Sequence, residues 1–109
     1  MSAASNILAE IRRAAAVKII FLPHALRQMS RPDRMILAAD VRRVVESGVV
    51  LEDYPEDARG HSCLLMGEVD DNRRLHVVCS PKDEYLAIIT AYVPSPAEWE
   101  SDLKTRRRL

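Results

Sequence analysis

The sequence predicts an α+β domain in which helices pack on one face of an antiparallel sheet, and three observations carry that expectation. Apolar residues recur at helical spacing through the first 47 positions, and the pattern then switches to short β-branched runs separated by turn residues. Two of those runs, 75–79 and 85–92, flank a polar break containing Pro81, and read as adjacent central strands of one hairpin. Near the end, Ser95-Pro96-Ala97-Glu98 has the form of a capping box with proline at the first helical position, so a helix is expected over 96–107.

Each element has its own signal. Ile7, Leu8, Ile11, Ala14 and Ala15 share one helical face, with Glu10, Arg12 and Arg13 on the other, which predicts an amphipathic helix over 5–17. Residues 18–21 form a β-branched run ended by Pro23, suited to an edge strand. A short helix is expected over 24–30, stopped where Pro32 disfavours helical geometry at Arg31. The next helix, 37–47, buries Ala38, Val41, Val44 and Val45, and Gly48 is expected to end it in the left-handed conformation. Strands follow at 49–54 and 61–69, separated by a turn-rich loop at 55–60, and a tight turn at 70–72 leads into the hairpin. Pro94 and Trp99 are spaced to act as a hydrophobic staple for the last helix, which ends in a run of cations suited to a helix C-terminus.

The totals bound the possibilities. A chain of 109 residues supports one core, so 1–109 reads as a single domain. Hydrophobic residues make up 48% and charged residues 29%, and no apolar run is long enough for a membrane helix. The formal net charge of +0 argues against nucleic-acid binding through overall charge alone. Yet 13 of the 16 basic residues are arginine, whose planar fork suits phosphate, so a local anion-binding patch fits a neutral whole. No secretory signal opens the chain, and Cys63 and Cys79 sit in apolar runs, so a reducing cytoplasm with buried free thiols is expected.

Five blocks, taken together, resemble a bacterial family of domains of unknown function that looks related to the BrnT and RelE-like toxins. They are Phe21-x-x-His24-Ala25-x-x-Gln28-Met29, Val41-x-x-Val44-x-x-x-Gly48, Glu52-x-Tyr54-Pro55-x-Asp57-x-Arg59-Gly60, His76-Val77-Val78 and Ile88-Ile89-Thr90-Ala91-Tyr92. The resemblance covers 20–99. It implies a small RelE-like α+β fold, a metal-independent endoribonuclease of a two-gene toxin–antitoxin pair, an mRNA interferase-like activity without a cofactor, and RNA and a cognate antitoxin, in some relatives a small zinc-finger protein, as partners. The chain departs from the pattern at Gln28, where many relatives carry arginine, and at Leu37, where they carry a Ser or Thr helix cap.

Metal-free RNA cleavage needs a base for the 2'-hydroxyl proton, an acid for the leaving oxygen, and a cation for the charge developing at phosphorus. His24, His76 and Tyr92 are the candidate catalytic residues, since imidazole changes charge near neutral pH and a phenol donates or stacks. Arg27, Arg59 and Arg74 are candidate phosphate holders, with Thr90 a further candidate RNA contact. The hairpin register decides whether these groups can meet. With Cys79 opposite Tyr85, His76 shares a face with Thr90 and Tyr92; with Ser80 opposite Tyr85, it moves to the face of Ile89 and Ala91. Each residue also has an ordinary reading: a helix-start histidine bonded to backbone, a hydrogen-bonded core histidine, a packed tyrosine, and for Arg42 and Arg43 a solvated helix face.

No metal site is expected. His61 and Cys63 share a strand face, but His76 and Cys79 point to opposite faces, and the spacing fits no usual zinc pattern. Two functions compete: the ribonuclease, and a non-catalytic module of the same fold that binds a protein partner through its sheet edge or C-terminal helix. A homodimer is compatible with either.

Overall fold

A computed structural model of the chain describes residues 3–69 and 73–95, together with residues 97, 99, 102 and 104. These residues form three helices and a five-stranded mixed sheet, an α+β fold. In chain order the elements are α1 (Ala3–Val17), β1 (Ile19–Phe21), α2 (Pro23–Met29), α3 (Ala38–Ser47), β2 (Val49–Tyr54), β3 (Ser62–Glu68), β4 (Arg74–Pro81) and β5 (Leu86–Tyr92). The sheet order is β1-β5-β4-β3-β2. The helix expected over 96–107 falls largely outside the described residues. Ahead of that stretch, Ser95 accepts two N–H groups, from Trp99 at its carbonyl (3.0 Å) and from Ala97 at its hydroxyl (3.1 Å).

Strands β2 to β5 form the expected antiparallel meander, but β1 lies parallel to β5, with Ile19 beside Leu86 and Phe21 beside Ile88. The departure from a purely antiparallel sheet has a topological reason. Two helices, α2 and α3, and three strands separate β1 from β5, so no tight turn constrains their relative direction. Two backbone bonds fix the pairing: Leu86 N–H donates to Lys18 O at 2.8 Å and Leu22 N–H to Ile88 O at 3.0 Å.

All three helices cover one face. Ile7, Ile11 and Ala14 of α1, Ala25 and Met29 of α2, and Val41, Val44 and Val45 of α3 join Cys63, Leu65, Leu75, Val77, Cys79, Leu86, Ile88 and Ala91 of the sheet in one cluster. The other face is buried too, through Leu64, Met66, His76, Ala87 and Ile89, and Trp99 packs there against His76. Burial on both sides explains why the central strands read as continuous apolar runs rather than as an alternation.

Gly48 ends α3 for a different reason from the one expected. Its φ of −77° and ψ of 177° are extended geometry open to any residue. A Cβ there, however, would lie 2.5 Å from Val44 O and 2.6 Å from Met66 O, so the chain turns from helix into β2 where two backbones nearly touch.

The β4–β5 hairpin takes neither of the two registers considered from the sequence. The turn is tighter than either: Lys82 N–H donates to Tyr85 O at 2.8 Å, and the strand continues through Pro81, which sits opposite Leu86. Proline is tolerated because it lies beyond the last β3 partner, Cys79, and because Leu86 turns its own N–H toward β1. Carried on unchanged, this register would set His76 opposite Ala91 and turn Thr90 and Tyr92 to the helix-covered side. A one-residue bulge at Ile89 intervenes, so Cys79 pairs with Ile88 but Val78 pairs with Thr90 and His76 with Tyr92. The bulge, not the turn, puts His76, Thr90 and Tyr92 on one face.

Candidate functional site

Strand β1 stops at Phe21, leaving the second half of β5 without a neighbour on that side, and α2 runs across the gap. The result is an open cleft of about 390 Å³ lined by His24 and Gln28 from α2, Arg34 from the loop after it, Thr90 and Tyr92 from β5, and Val93 and Ser95 beyond it. His24 is exposed, whereas Gln28, Arg34, Thr90 and Tyr92 are half-buried.

His24 and Gln28 both face the cleft because they are four residues apart on α2, whose adjoining side buries Ala25 and Met29. Tyr92 is backed by His76. The His76 Nδ1 lies 3.2 Å from the Tyr92 hydroxyl and the two rings meet edge to face at 5.3 Å between centroids. His76 is itself fully buried, with Trp99 packed edge-on at 4.4 Å on the same ring. A protein group thus holds the phenol from behind while its front opens to the cleft.

Arg34 was not among the residues singled out from the sequence. Its Nη1 donates to Gln28 Oε1 at 2.7 Å, which holds the guanidinium against the cleft wall. The loop that carries it is tightly fixed. Arg34 and Met35 N–H both donate to Arg31 O, Ile36 N–H donates to Met29 O, and Ile36 is buried. Met35 takes a φ of +48°, unusual for a residue with a side chain. Arg73, just before β4, donates through Nη1 to Arg34 O at 2.6 Å and through Nη2 to Asp40 Oδ2 at 3.4 Å, while Asp40 also accepts Leu37 N–H at 2.9 Å. Asp40 therefore supplies the helix-start contact that Leu37 cannot. No sequence signal marks Arg34, because its approach to the cleft depends on how residues 30–37 fold back over α2.

The remaining candidates lie elsewhere. Arg27 is exposed on α2 and is not part of the cleft wall. Arg74 pairs with Glu68 at 3.4 Å and donates to Asp102 O at 2.8 Å. Arg59 is held by Asp57 in the loop between β2 and β3, with Nη2 to Oδ2 at 2.9 Å and Nε to Oδ1 at 3.1 Å. Donation from the Arg59 side chain, then from its backbone N–H and from the Ser62 hydroxyl, holds the Asp57 carboxyl well below the usual carboxylate range. His61 instead meets Asp53 at 2.5 Å. Among the described residues no group of three His, Cys, Asp or Glu side chains is placed to hold a metal ion. No helix among them is long and apolar enough to cross a membrane.

Fold and cleft together define a small α+β domain whose polar cleft lies where a short parallel edge strand gives way to a helix. The sequence profile of the family Domain of unknown function (DUF4258) matches residues 21–93, and the chain belongs to that family. The matched segment runs from the end of β1 to just past β5 and holds every cleft residue but Ser95. No curated protein and no solved structure matches the chain.

Proposed function

We propose that this domain is a metal-independent endoribonuclease of the RelE/BrnT kind, held in check by a cognate antitoxin. The observation that carries the reading is the cleft itself: an exposed imidazole, a guanidinium and a phenol converge on one open space, and the phenol is backed by a second imidazole. Each has a part in in-line transesterification. His24 takes the proton of the 2'-hydroxyl as its oxygen attacks phosphorus, and Arg34 neutralises the charge growing on the non-bridging oxygens. Tyr92 gives its proton to the 5'-oxygen as the P–O5' bond breaks, leaving a 2',3'-cyclic phosphate and a free 5'-hydroxyl. A His76 tautomer with hydrogen on Nδ1 donates to the Tyr92 oxygen, turning the phenolic O–H toward substrate and stabilising the phenolate that results. Gln28, by holding Arg34, supports a cation without contributing one.

The test is cleavage of single-stranded RNA by the purified chain in a chelating buffer, read on denaturing gels with end-group analysis. Products bearing 2',3'-cyclic phosphate, and loss of at least a hundredfold in rate for His24→Ala or Tyr92→Phe, on the order expected for removing an acid–base group, are the expected outcome. Intact RNA under all conditions overturns the proposal. A second reading, a partner-binding module without catalysis, is favoured by the groove of about 250 Å³ between α1 and α3, where Ala15, Ala16, Ile19 and Val45 lie beside Arg12 and Arg42. In that reading the antitoxin, or another protein, is the ligand.

A further inference from the structure

The sheet face that carries Thr90 and Tyr92 continues along β5 to a second, smaller hollow. It encloses about 100 Å³ and is lined by Leu22, Arg59, Ser80, Lys82, Tyr85, Ala87 and Ile89. Ala87 pairs with Ser80 as Thr90 pairs with Val78 and Tyr92 with His76, so the hollow and the cleft open on the same side of the hairpin. Ala87 and Tyr92 stand roughly 16 Å apart at the rise of an extended strand, a span of a few nucleotides.

The hollow has an apolar floor (Leu22, Ala87, Ile89), one aromatic wall (Tyr85) and two cations at its rim. Both cations are held in place. Asp57 grips two nitrogens of Arg59 and leaves the rest of the exposed guanidinium outward, and the Lys82 ammonium donates to the Arg59 carbonyl. Gly60 makes that approach feasible: its φ is +105°, and a Cβ there would lie 2.6 Å from Lys82 Nζ. An aromatic side chain beside an apolar floor with fixed cations at the edge is suited to take an unpaired base by stacking and its phosphate by charge-assisted bonds. Duplex RNA does not fit, because its bases are stacked on one another and withheld from a hollow of this size.

We infer that this hollow is a second subsite for single-stranded RNA, in which a base flanking the scissile linkage stacks on Tyr85 while Arg59 and Lys82 hold its phosphate. The inference rests on the ribonuclease reading of the first cleft. Asp57 offsets part of the positive charge, so stacking carries more of the affinity here than charge does.

The experiment compares a dinucleotide, long enough for the cleft alone, with a single-stranded octanucleotide, measuring kcat/KM on each for the wild type, Tyr85→Ala, Tyr85→Phe and Lys82→Gln. Thermal melts establish that each variant is folded. Tyr85→Ala is expected to lose about tenfold or more on the octanucleotide beyond any loss on the dinucleotide, the size of one base–aromatic stack. Tyr85→Phe should restore most of that difference, because it keeps the ring. If the wild type cleaves both substrates and Tyr85→Ala and Lys82→Gln show no length-dependent loss, the subsite is overturned while the ribonuclease reading stands. If the wild type cleaves neither, the ribonuclease reading itself has failed and takes the subsite with it.

Discussion

Replacing Gly48 by alanine isolates the close approach that ends α3. The added Cβ would sit 2.5 Å from Val44 O and 2.6 Å from Met66 O, and must be moved at least to the 3.0 Å floor that real Cβ atoms respect. Both obstacles are backbone atoms, one in the last turn of α3 and one in β3, so no side-chain rotation relieves them. Val44 O is also the acceptor of Gly48 N–H at 2.7 Å, so relief by displacement stretches a bond that closes the helix. Overpacking of this kind costs about 1–3 kcal/mol, against a gain of about 0.4–1 kcal/mol from a stiffer unfolded chain. For a domain of this size the melting temperature should fall by roughly 5–15 °C. Differential scanning calorimetry of Gly48→Ala and Gly48→Asn separates the two explanations for this glycine. Asparagine tolerates left-handed geometry better than alanine does but is larger, so close approach predicts that Asn is the worse substitution and left-handed geometry predicts that it is the better one. A melting point for Gly48→Ala at or above that of the wild type would refute the close-approach argument.

Other outcomes follow from the same structure. Under the proposed ribonuclease function, Arg34→Ala should reduce RNA cleavage by on the order of 10²–10³-fold, as for a lost charge-stabilising donor, with thermal stability nearly unchanged; Gln28→Ala should give a smaller loss of the same kind. Asp57 has a folded-state pKa below its unfolded value, so its contribution to stability is present above about pH 4 and disappears as pH falls through the folded value. Urea titrations of Asp57→Asn should therefore show the largest deficit at neutral pH and convergence with the wild type in acid. Cys63 and Cys79 face each other across β3 and β4 in the core, and the hydrogen bond to Cys63, reinforced by burial, pushes the Cys79 thiol up. Alkylation at neutral pH should be negligible in the native protein and complete in denaturant, read by mass spectrometry. Trp99, the single tryptophan, is buried against His76, so its fluorescence should be blue-shifted and resistant to acrylamide until the chain unfolds.

Much of this fold was legible in the residues. The helical spacing of Ile7, Ile11 and Ala14, and of Val41, Val44 and Val45, located α1 and α3 and their buried sides, because a helix must turn one stripe to the core whatever it packs on. The β-branched runs located the strands. For the site, His24 and Tyr92 could be singled out as chemically able residues, and they share a cleft with Thr90. Arg27, Arg59 and Arg74 are as suited to phosphate by type, yet none of them reaches that cleft. Residue type alone could not separate them from Arg34, whose position comes from the folded-back loop and the grip of Arg73 on its carbonyl.

The sequence by itself determined where α1, α3 and the strands lie, that both cysteines lie in the core, and that the hairpin from Leu75 to Tyr92 is central, since local periodicity and turn chemistry are written in neighbouring residues. Tertiary structure decided the rest. The parallel pairing of β1 with β5 depends on contacts across most of the chain, and Gly48 is required by an approach between α3 and β3 that no local pattern records. The hairpin is the clearest case. Its two-residue turn alone would have turned Thr90 and Tyr92 under the helices, and a single bulged residue, Ile89, returns them to the face of His76, because side chains alternate along a strand and one extra residue exchanges the two faces.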